Sequence, residues 1–152
     1  MFNIFNKTVQ IYSPIKGKFK KQEDINDPVF SKGLMGPTFA IDPEDNKIYA
    51  PIDGIIGTVF PTKHAIGIIK NDIEMILHVG IDTVSLDGEG FLVFVKEGDS
   101  VKKGDLLMEV DFDLIASKGY QKDVIVAISK AKKTVLNNVD DVDNNVVVGK
   151  CE

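Results

Sequence analysis

The segment IEMILHVGI, residues 73–81, constrains the fold more than any other part of this chain. In a β-strand, successive side chains point to opposite faces. One face of this segment is apolar throughout and must be buried: Ile73, Met75, Leu77, Val79 and Ile81. The other face carries Glu74, Ile76, His78 and Gly80. The pattern predicts a core strand from which His78 points away from the main apolar face.

His64, the only other histidine, begins a second apolar segment, HAIGII, which the tripeptide Lys-Asn-Asp joins to the first. A three-residue loop over Lys70–Asp72 predicts a β-hairpin centred on Asn71. This register places His64 directly opposite His78, with Cβ atoms about 4.5–5.5 Å apart. Because side chains alternate, a register shift of one residue would send the two imidazole rings to opposite faces.

Short apolar segments separated by regularly spaced turns continue along the whole chain, which is typical of a β-sandwich or barrel. The corner SPIKGKF at Ser13–Phe19 returns as APIDGII at Ala50–Ile56, which indicates an internal duplication. An N-cap at Asp111 predicts a short helix ending near Lys118, and a weak helical pattern covers Ser129–Leu136. We therefore expect an all-β fold, an antiparallel β-sandwich or barrel-sandwich hybrid with internal duplication and one or two short helices.

Length and composition narrow the class of protein. The 152 residues contain no linker, which predicts one domain over residues 1–152 with a core at about 9–149. The net charge of −5 argues against nucleic acid as a partner. No apolar run approaches the roughly 20 residues of a membrane span, and no signal peptide is recognisable. We expect a cytoplasmic monomer, in which Cys151 cannot form an internal disulfide. Residues 1–7 are expected to be loose, with an apolar foot for a membrane or partner as the alternative.

The two histidines carry the chemistry that the sequence offers. Patterns for nucleotide binding, GxxxxGK[ST] and GxGxxG, are absent, as are HExxH and CxxC. A neutral imidazole is a good nucleophile that can accept a group and pass it on. Phosphoryl transfer suits it, because that reaction depends on positioning and electrostatics. In this hypothesis His78 attacks, His64 donates a hydrogen bond to the phosphoryl oxygens, and Thr62 orients the His64 ring or contacts the phosphoryl group.

The segment LHVGIDTVSLDGEGF, together with APIDGIIGTVFPTKHA upstream, resembles the enzyme IIA component of the glucose-type sugar phosphotransferase system. The likeness runs over about residues 9–149. The family pattern His-apolar-Gly-apolar-x-Thr-apolar is matched at His78–Val84, and EGD-x-V-x-x-GD at Glu97–Asp105. The hairpin turn departs from the pattern, because Asp72 replaces a glycine and the spacing of the histidines is one residue shorter.

The resemblance implies a phosphotransferase component that acts as a protein-histidine phosphoryl carrier. His78 would take the phosphoryl group from the phosphohistidine of the carrier protein HPr and pass it to the IIB domain of a glucose-family sugar permease. His64 would stabilise the phosphorylated His78. No cofactor is required, although some members bind zinc through both histidines in a partner complex, which implies a zinc site at His64 and His78. Regulatory target proteins are further implied partners.

The resemblance also implies a surface on which these partners dock. It comprises Asp27, Val29, Phe30, Phe60, Ile76, Gly80 and Asp82. Phe30 and Phe60 are expected to be exposed, as suits brief docking, with a core position as the alternative for either. Gly80, which has no side chain, is expected to let a partner approach the backbone closely.

Three other interpretations remain open from the sequence. A zinc-binding β-protein or metallohydrolase would use His64 and His78 and a third ligand, either Asp82 or a residue of another protein. A lipoyl or biotinyl carrier would explain the turns in EGDSVKKGD, but it needs a lysine on a tight hairpin where this chain reads LLMEVDF. A regulatory binding module would use the apolar surface alone.

Overall fold

Fourteen short strands and two short α-helices, joined by turns and loops, lie within residues 8–152, which are the residues that this computed structural model describes. Residues 1–7, and the expectations made for them, lie outside the described residues. The strands are β1 Val9–Tyr12, β2 Gly17–Lys21, β3 Thr38–Pro43, β4 Lys47–Tyr49, β5 Gly54–Val59, β6 Ala65–Lys70, β7 Ile73–Val79, β8 Phe91–Val93, β9 Ser100–Val101, β10 Leu106–Val110, β11 Val124–Lys130, β12 Thr134–Leu136, β13 Asp141–Val142 and β14 Val147–Cys151. The helices are α1 Pro28–Ser31 and α2 Phe112–Ser117.

All strand pairs among these residues are antiparallel, so the predicted all-β fold is confirmed. The helix expected after Asp111 is α2, and the Asp111 carboxylate caps it by accepting from Leu114 N at 3.0 Å. The helix expected over Ser129–Leu136 is wrong, because this segment holds the end of β11 and the strand β12, which pairs with β14. None of the helices in residues 8–152 is long and apolar enough to cross a membrane.

Three sheets enclose the core. Eight strands form the largest, in the order β13-β2-β3-β11-β7-β6-β5-β9, and the two smaller sheets have the orders β1-β14-β12 and β4-β10-β8. The main apolar cluster includes fully buried residues of all three sheets, among them Leu77 of β7, Ile11 of β1 and Ile48 of β4. A second, smaller cluster contains Ile125 of β11 and Ala40 of β3, which share a cross-strand row with His78.

The duplication read from the two Pro-Gly corners is confirmed by their contacts. The amide of Tyr12 donates to Pro51 O at 3.0 Å, and the amide of Tyr49 donates to Pro14 O at 2.8 Å. Each corner thus supplies the same donor and the same acceptor to the other, as a two-fold relation between them requires. The largest sheet has the same symmetry. Counted inward from its two ends, the equivalent strands are β13 and β9, β2 and β5, β3 and β6, and β11 and β7.

The two copies are arranged as one unit inside the other. We call β4–β10 the nested unit, which is continuous in sequence, and β1–β3 together with β11–β14 the flanking unit. Equivalent pairings show the relation: Gly17 at the start of β2 pairs with Val142, and Gly54 at the start of β5 pairs with Val101. The copies meet in the middle of the large sheet, where β7 pairs with β11.

His78 lies beside the pseudo-two-fold axis. In the β7–β11 register Leu77 faces Val126, and the flanking pairs are His78 with Ile125 and Ile76 with Ala127. An axis between Leu77 and Val126 exchanges these two pairs, so Ala127 is the counterpart of His78 in the flanking unit. The counterpart of His64 is Pro37, since Val79 N donates to His64 O at 2.8 Å and Ile128 N donates to Pro37 O at 2.9 Å.

Strand β7 has the predicted alternation but the predicted hairpin register is wrong by one residue. Burial alternates strictly along β7, with Ile73, Met75, Leu77 and Val79 buried. The turn has two residues, Asn71 and Asp72, rather than three, and Asn71 takes the left-handed φ of 54° that such a turn favours. Consequently Ala65, and not His64, is the partner of His78.

Candidate active site

The backbone carbonyl group of Gly80 holds the His78 ring in place. His78 is half-buried on the face of β7 opposite the main core. Its Nδ1 lies 2.9 Å from the carbonyl oxygen of Gly80. A carbonyl oxygen only accepts hydrogen bonds, so Nδ1 carries the proton and donates. The lone pair of the neutral ring therefore resides on Nε2, which is the nitrogen available as a nucleophile.

His64 is positioned by a tight turn rather than by a strand. The segment between β5 and β6 is closed by the amide of Lys63 donating to Phe60 O at 2.7 Å, and Lys63 takes a left-handed φ of 64°. His64 follows directly, with only 4% of its surface exposed. Thr62 Oγ1 lies 2.7 Å from His64 Nδ1. This contact holds the His64 ring by Nδ1 and leaves Nε2 for a partner outside the turn. Orientation of the ring was one of the two roles predicted for Thr62.

The two rings meet edge to face despite the changed register. Their centroids are 4.8 Å apart and the ring planes are inclined by 86°. His64 precedes the first residue of β6, so the alternation that governs side chains within a strand does not govern it. The turn rotates its side chain onto the outer face, beside His78. Neighbouring imidazoles were thus correctly predicted, although the reason given for their contact was not.

Burial lowers the pKa of both rings. The pKa of His64 is lowered from 6.5 to about 4, first by burial and second by the proximity of His78. The pKa of His78 is also lowered by burial, although the hydrogen bond to Gly80 and the charges of Asp27 and Asp82 oppose that shift. Two neutral imidazoles in contact offer nucleophilic and hydrogen-bonding nitrogen atoms at neutral pH.

The two phenylalanines near the rings differ in exposure. Phe60 is 39% exposed and stands edge-on to His64, with centroids 5.6 Å apart. Phe30 is only 6% exposed, so its expected exposure is wrong. It belongs to the second apolar cluster and packs on His78 with centroids 5.1 Å apart. Phe30 therefore limits the freedom of the His78 ring, while Phe60 faces outward.

The remaining residues predicted for a docking surface differ in exposure. Val29 is 42% exposed, Asp82 is exposed and Ile76 is half-buried. The carboxylate of Asp27 caps α1 by accepting from Val29 N at 2.9 Å, and its charge still acts on His78. Gly80 is buried, so the expectation that a partner approaches the backbone there is wrong.

Sequence reasoning missed three residues of this region. Leu34, which follows α1, is 69% exposed, and Val84, which follows Asp82, is 52% exposed. Val84 was signalled only as the last residue of the matched motif, and no sequence pattern singled out Leu34, whose amide donates to Val29 O at 3.0 Å. Thr83 is fully buried and donates to Val79 O, and its match to the motif was the only sequence signal for it.

Within the described part of the chain no group of three or more His, Cys, Asp or Glu side chains is arranged to hold a metal ion. The imidazole pair supplies two ligands, whereas a catalytic zinc needs three from the protein. A zinc site at His64 and His78 therefore requires a ligand from a partner and stays a prediction.

Comparison with known proteins identifies the family of this chain. A sequence model of the family described as phosphoenolpyruvate-dependent sugar phosphotransferase system, EIIA 1, matches residues 9–134. The chain belongs to this family. It is 40% identical over 138 residues to the PTS system glucose-specific EIIA component of Staphylococcus epidermidis, covering 90% of this chain and 83% of the relative. The Staphylococcus aureus protein of the same name is 42% identical over 143 residues, which cover 93% and 85% of the two chains.

A solved structure agrees with this assignment. Glucose permease IIA from Mycoplasma capricolum matches with a TM-score of 0.89 and 37% identity, covering 96% of this chain and 97% of that chain. The enzyme IIA resemblance read from the motifs is therefore confirmed. Family membership favours a sugar phosphotransferase component over the metallohydrolase and the lipoyl or biotinyl carrier.

Proposed function

We propose that this protein carries a phosphoryl group on His78 between HPr and the IIB domain of a sugar permease. The observation that carries the proposal is the pair of contacting imidazoles, in which His78 Nδ1 is bonded to the backbone and Nε2 has no hydrogen-bond partner among residues 8–152. Nε2 is the nucleophile. The relatives named above are glucose-specific components, and we propose a permease of the glucose class.

The transfer consists of two displacements at phosphorus. In the first, the lone pair of His78 Nε2 forms a P–N bond while the P–N bond to the histidine of HPr breaks, and that electron pair stays with HPr. In the second, a cysteine thiolate of the IIB domain forms a P–S bond while the P–N bond at His78 breaks, and the electron pair returns to Nε2. His78 keeps its Nδ1 proton throughout, donated to Gly80 O.

His64 stabilises the charge of the phosphoryl group while His78 carries it and releases it. Its low pKa keeps the ring neutral, so it carries one N–H. If the Thr62 hydroxyl donates to Nδ1, that N–H is on Nε2 and can donate to a phosphoryl oxygen on His78. A positioned donor that gives its bond to developing negative charge is worth about a hundredfold to a thousandfold in rate.

The exposed apolar side chains around the pair suit short-lived docking to two partners in turn. Val29, Leu34, Phe60 and Val84 are 42%, 69%, 39% and 52% exposed. An apolar centre with a charged surround is typical of transient interfaces. The same surface would serve HPr and the IIB domain, because both must reach His78, and it is also available to regulatory target proteins.

The test is the intact mass of the protein after incubation with phosphoenolpyruvate, enzyme I and HPr. We expect a gain of one phosphoryl group, about 80 Da, that is labile in acid as phosphohistidine is. The His78→Gln variant should show no gain. The His64→Gln variant is the matched control, because it changes the other ring and should still accept the group. An unchanged mass of the wild-type protein with active HPr would refute the proposal.

A further inference from the structure

Two consecutive peptide groups after β7 form the backbone on which the His78 ring rests. The amide of Gly80 donates to Asp123 O at 2.7 Å. The next amide, of Ile81, donates to Gln121 O at 3.0 Å. The segment leading into β11 therefore anchors both peptide groups by their N–H. The carbonyl of Gly80 accepts from His78 Nδ1, so the direction of this carbonyl decides which ring nitrogen carries the proton.

Thr83 holds the first of these peptide groups from the other side. Its side chain is fully buried, and its hydroxyl donates to the carbonyl oxygen of Val79. The Val79–Gly80 peptide is thus bonded at both ends, through its C=O to Thr83 and through its N–H to Asp123. A peptide plane with both polar groups bonded has one orientation, and leaving such a buried carbonyl unpaired is costly.

The methyl group of Thr83 restricts the link to the second peptide group. A Cβ atom built on Gly80 would lie 2.3 Å from Thr83 Cγ2, so the methyl group occupies the space beside the Gly80 Cα. Gly80 also takes a left-handed φ of 78°. The hydroxyl fixes the peptide before Gly80 and the methyl packs against the atom that joins it to the next one. The hydroxyl bond thereby sets the direction of the Gly80 carbonyl toward His78, and the methyl group fills the space beside Gly80.

We propose that Thr83 is a positioning residue for His78, which keeps the proton on Nδ1 and the lone pair on Nε2 by holding the Val79–Gly80 peptide. Only the consequence for phosphoryl transfer rests on the proposed function, since the ring tautomer belongs to the unphosphorylated protein. Because Thr83 is fully buried, it touches no partner. Its loss should slow the phosphorylation of His78 without weakening the docking of HPr.

The experiment reads the tautomer directly. The chain has two histidines, so the ring nitrogen resonances of a 15N-labelled sample are simple to assign. They are measured above the ordinary pKa of histidine in the wild type and in Thr83→Val, which keeps the branched shape and removes the hydroxyl. We expect the wild type to hold the Nδ1–H form of His78, and the variant to gain a substantial share of the Nε2–H form. Phosphoryl acceptance at saturating HPr should fall about tenfold in the variant, with an unchanged KM for HPr.

Two further variants separate positioning from a general loss of stability. Thr38 is also fully buried, and its hydroxyl donates to a backbone carbonyl, Gly36 O, at 2.8 Å. Thr38→Val therefore makes the same change elsewhere and should leave the tautomer alone. Thr83→Ser keeps the donor, and should keep the Nδ1–H form even if Thr83→Val fails to fold.

The outcomes are distinct. A tautomer shift in Thr83→Val that is absent in Thr38→Val and Thr83→Ser supports the proposal. An Nδ1–H form that persists in Thr83→Val, or one that Thr83→Ser loses, overturns it. Failure of the wild type to accept a phosphoryl group would count against the proposed function alone, because the tautomer result does not depend on it.

Discussion

The two duplicated units differ most in one pair of equivalent connections. In the nested unit, residues 60–64 join β5 to β6 in a tight turn that carries Thr62 and His64. In the flanking unit, residues 22–37 join β2 to β3 by a longer path that includes α1 and Phe30. Each connection supplies a ring that contacts His78. The centroid of the His78 ring lies 4.8 Å from that of His64 and 5.1 Å from that of Phe30.

The difference shows how a symmetric scaffold can hold an asymmetric site. His78 is one residue pair away from the pseudo-two-fold axis, so side chains of both units reach it. The nested unit supplies both imidazoles, whereas the equivalent positions of the flanking unit are Pro37 and Ala127. The flanking unit instead supplies an apolar cover. One copy supplies both imidazoles, and Phe30 of the other packs against the His78 ring.

The largest expected effect comes from removing the stabilising ring of the nested unit. His64→Gln should accept a phosphoryl group from HPr but pass it to the IIB domain on the order of a hundredfold more slowly, because the donor to the phosphoryl oxygens is lost. Single-turnover transfer from the phosphorylated variant to a purified IIB domain measures this. Equal loss of acceptance and donation would contradict the division of roles between the rings.

The equivalent glycines at the starts of β2 and β5 test whether the two units are equally constrained. A Cβ at Gly17 would lie 2.0 Å from Asp42 O, and a Cβ at Gly54 would lie 2.6 Å from Ile69 O. Both are backbone contacts that cannot rotate away. We expect Gly17→Ala to cost about 3 kcal/mol of the free energy of unfolding and Gly54→Ala about 2 kcal/mol. Urea unfolding of both variants tests the order, and Gly98→Ala measures separately the cost of a left-handed φ, 94°, at a glycine with open space around it.

Acid should act on the nested unit through its imidazoles. The pKa of His64 in the folded protein, about 4, lies below the ordinary value of 6.5, so the unfolded chain binds more protons between these values. The contribution of His64 to stability is therefore complete above pH 6.5 and is lost as the pH falls toward 4. The loss is on the order of 2–3 kcal/mol, with a further share from His78, whose pKa is also lowered.

Denaturant unfolding across this pH range measures the effect, and His64→Gln is the control. Glutamine does not titrate, so the variant should lose less stability than the wild type over the same interval. Parallel curves for the two proteins would show that the decline arises from carboxylates instead.

Local pattern predicted the strands and the neighbouring histidines, while side-chain environment had to come from the structure. The alternation of β7 and the repeated corners are properties of short segments, and both were correct. The hairpin register depended on whether the turn has two or three residues, which differ by the single residue Lys70. Phe30 was placed outside because exposure depends on distant segments, and its cover comes from Ile25, Ala40 and Ile125. The role of Thr83 could not be predicted, because a buried hydroxyl that bonds to a backbone carbonyl produces no periodic pattern in the sequence.

The nesting of one unit inside the other also has a consequence for the order of folding. Strands β4–β10 are continuous in sequence, so the unit that holds both histidines can close its sheets through short loops. The flanking unit must pair β1 with β14 and β2 with β13, across the whole length of the nested unit. Closing such long loops costs more chain entropy and is slower. The imidazole pair should therefore form early, before the strands of the flanking unit pair and Phe30 packs on His78.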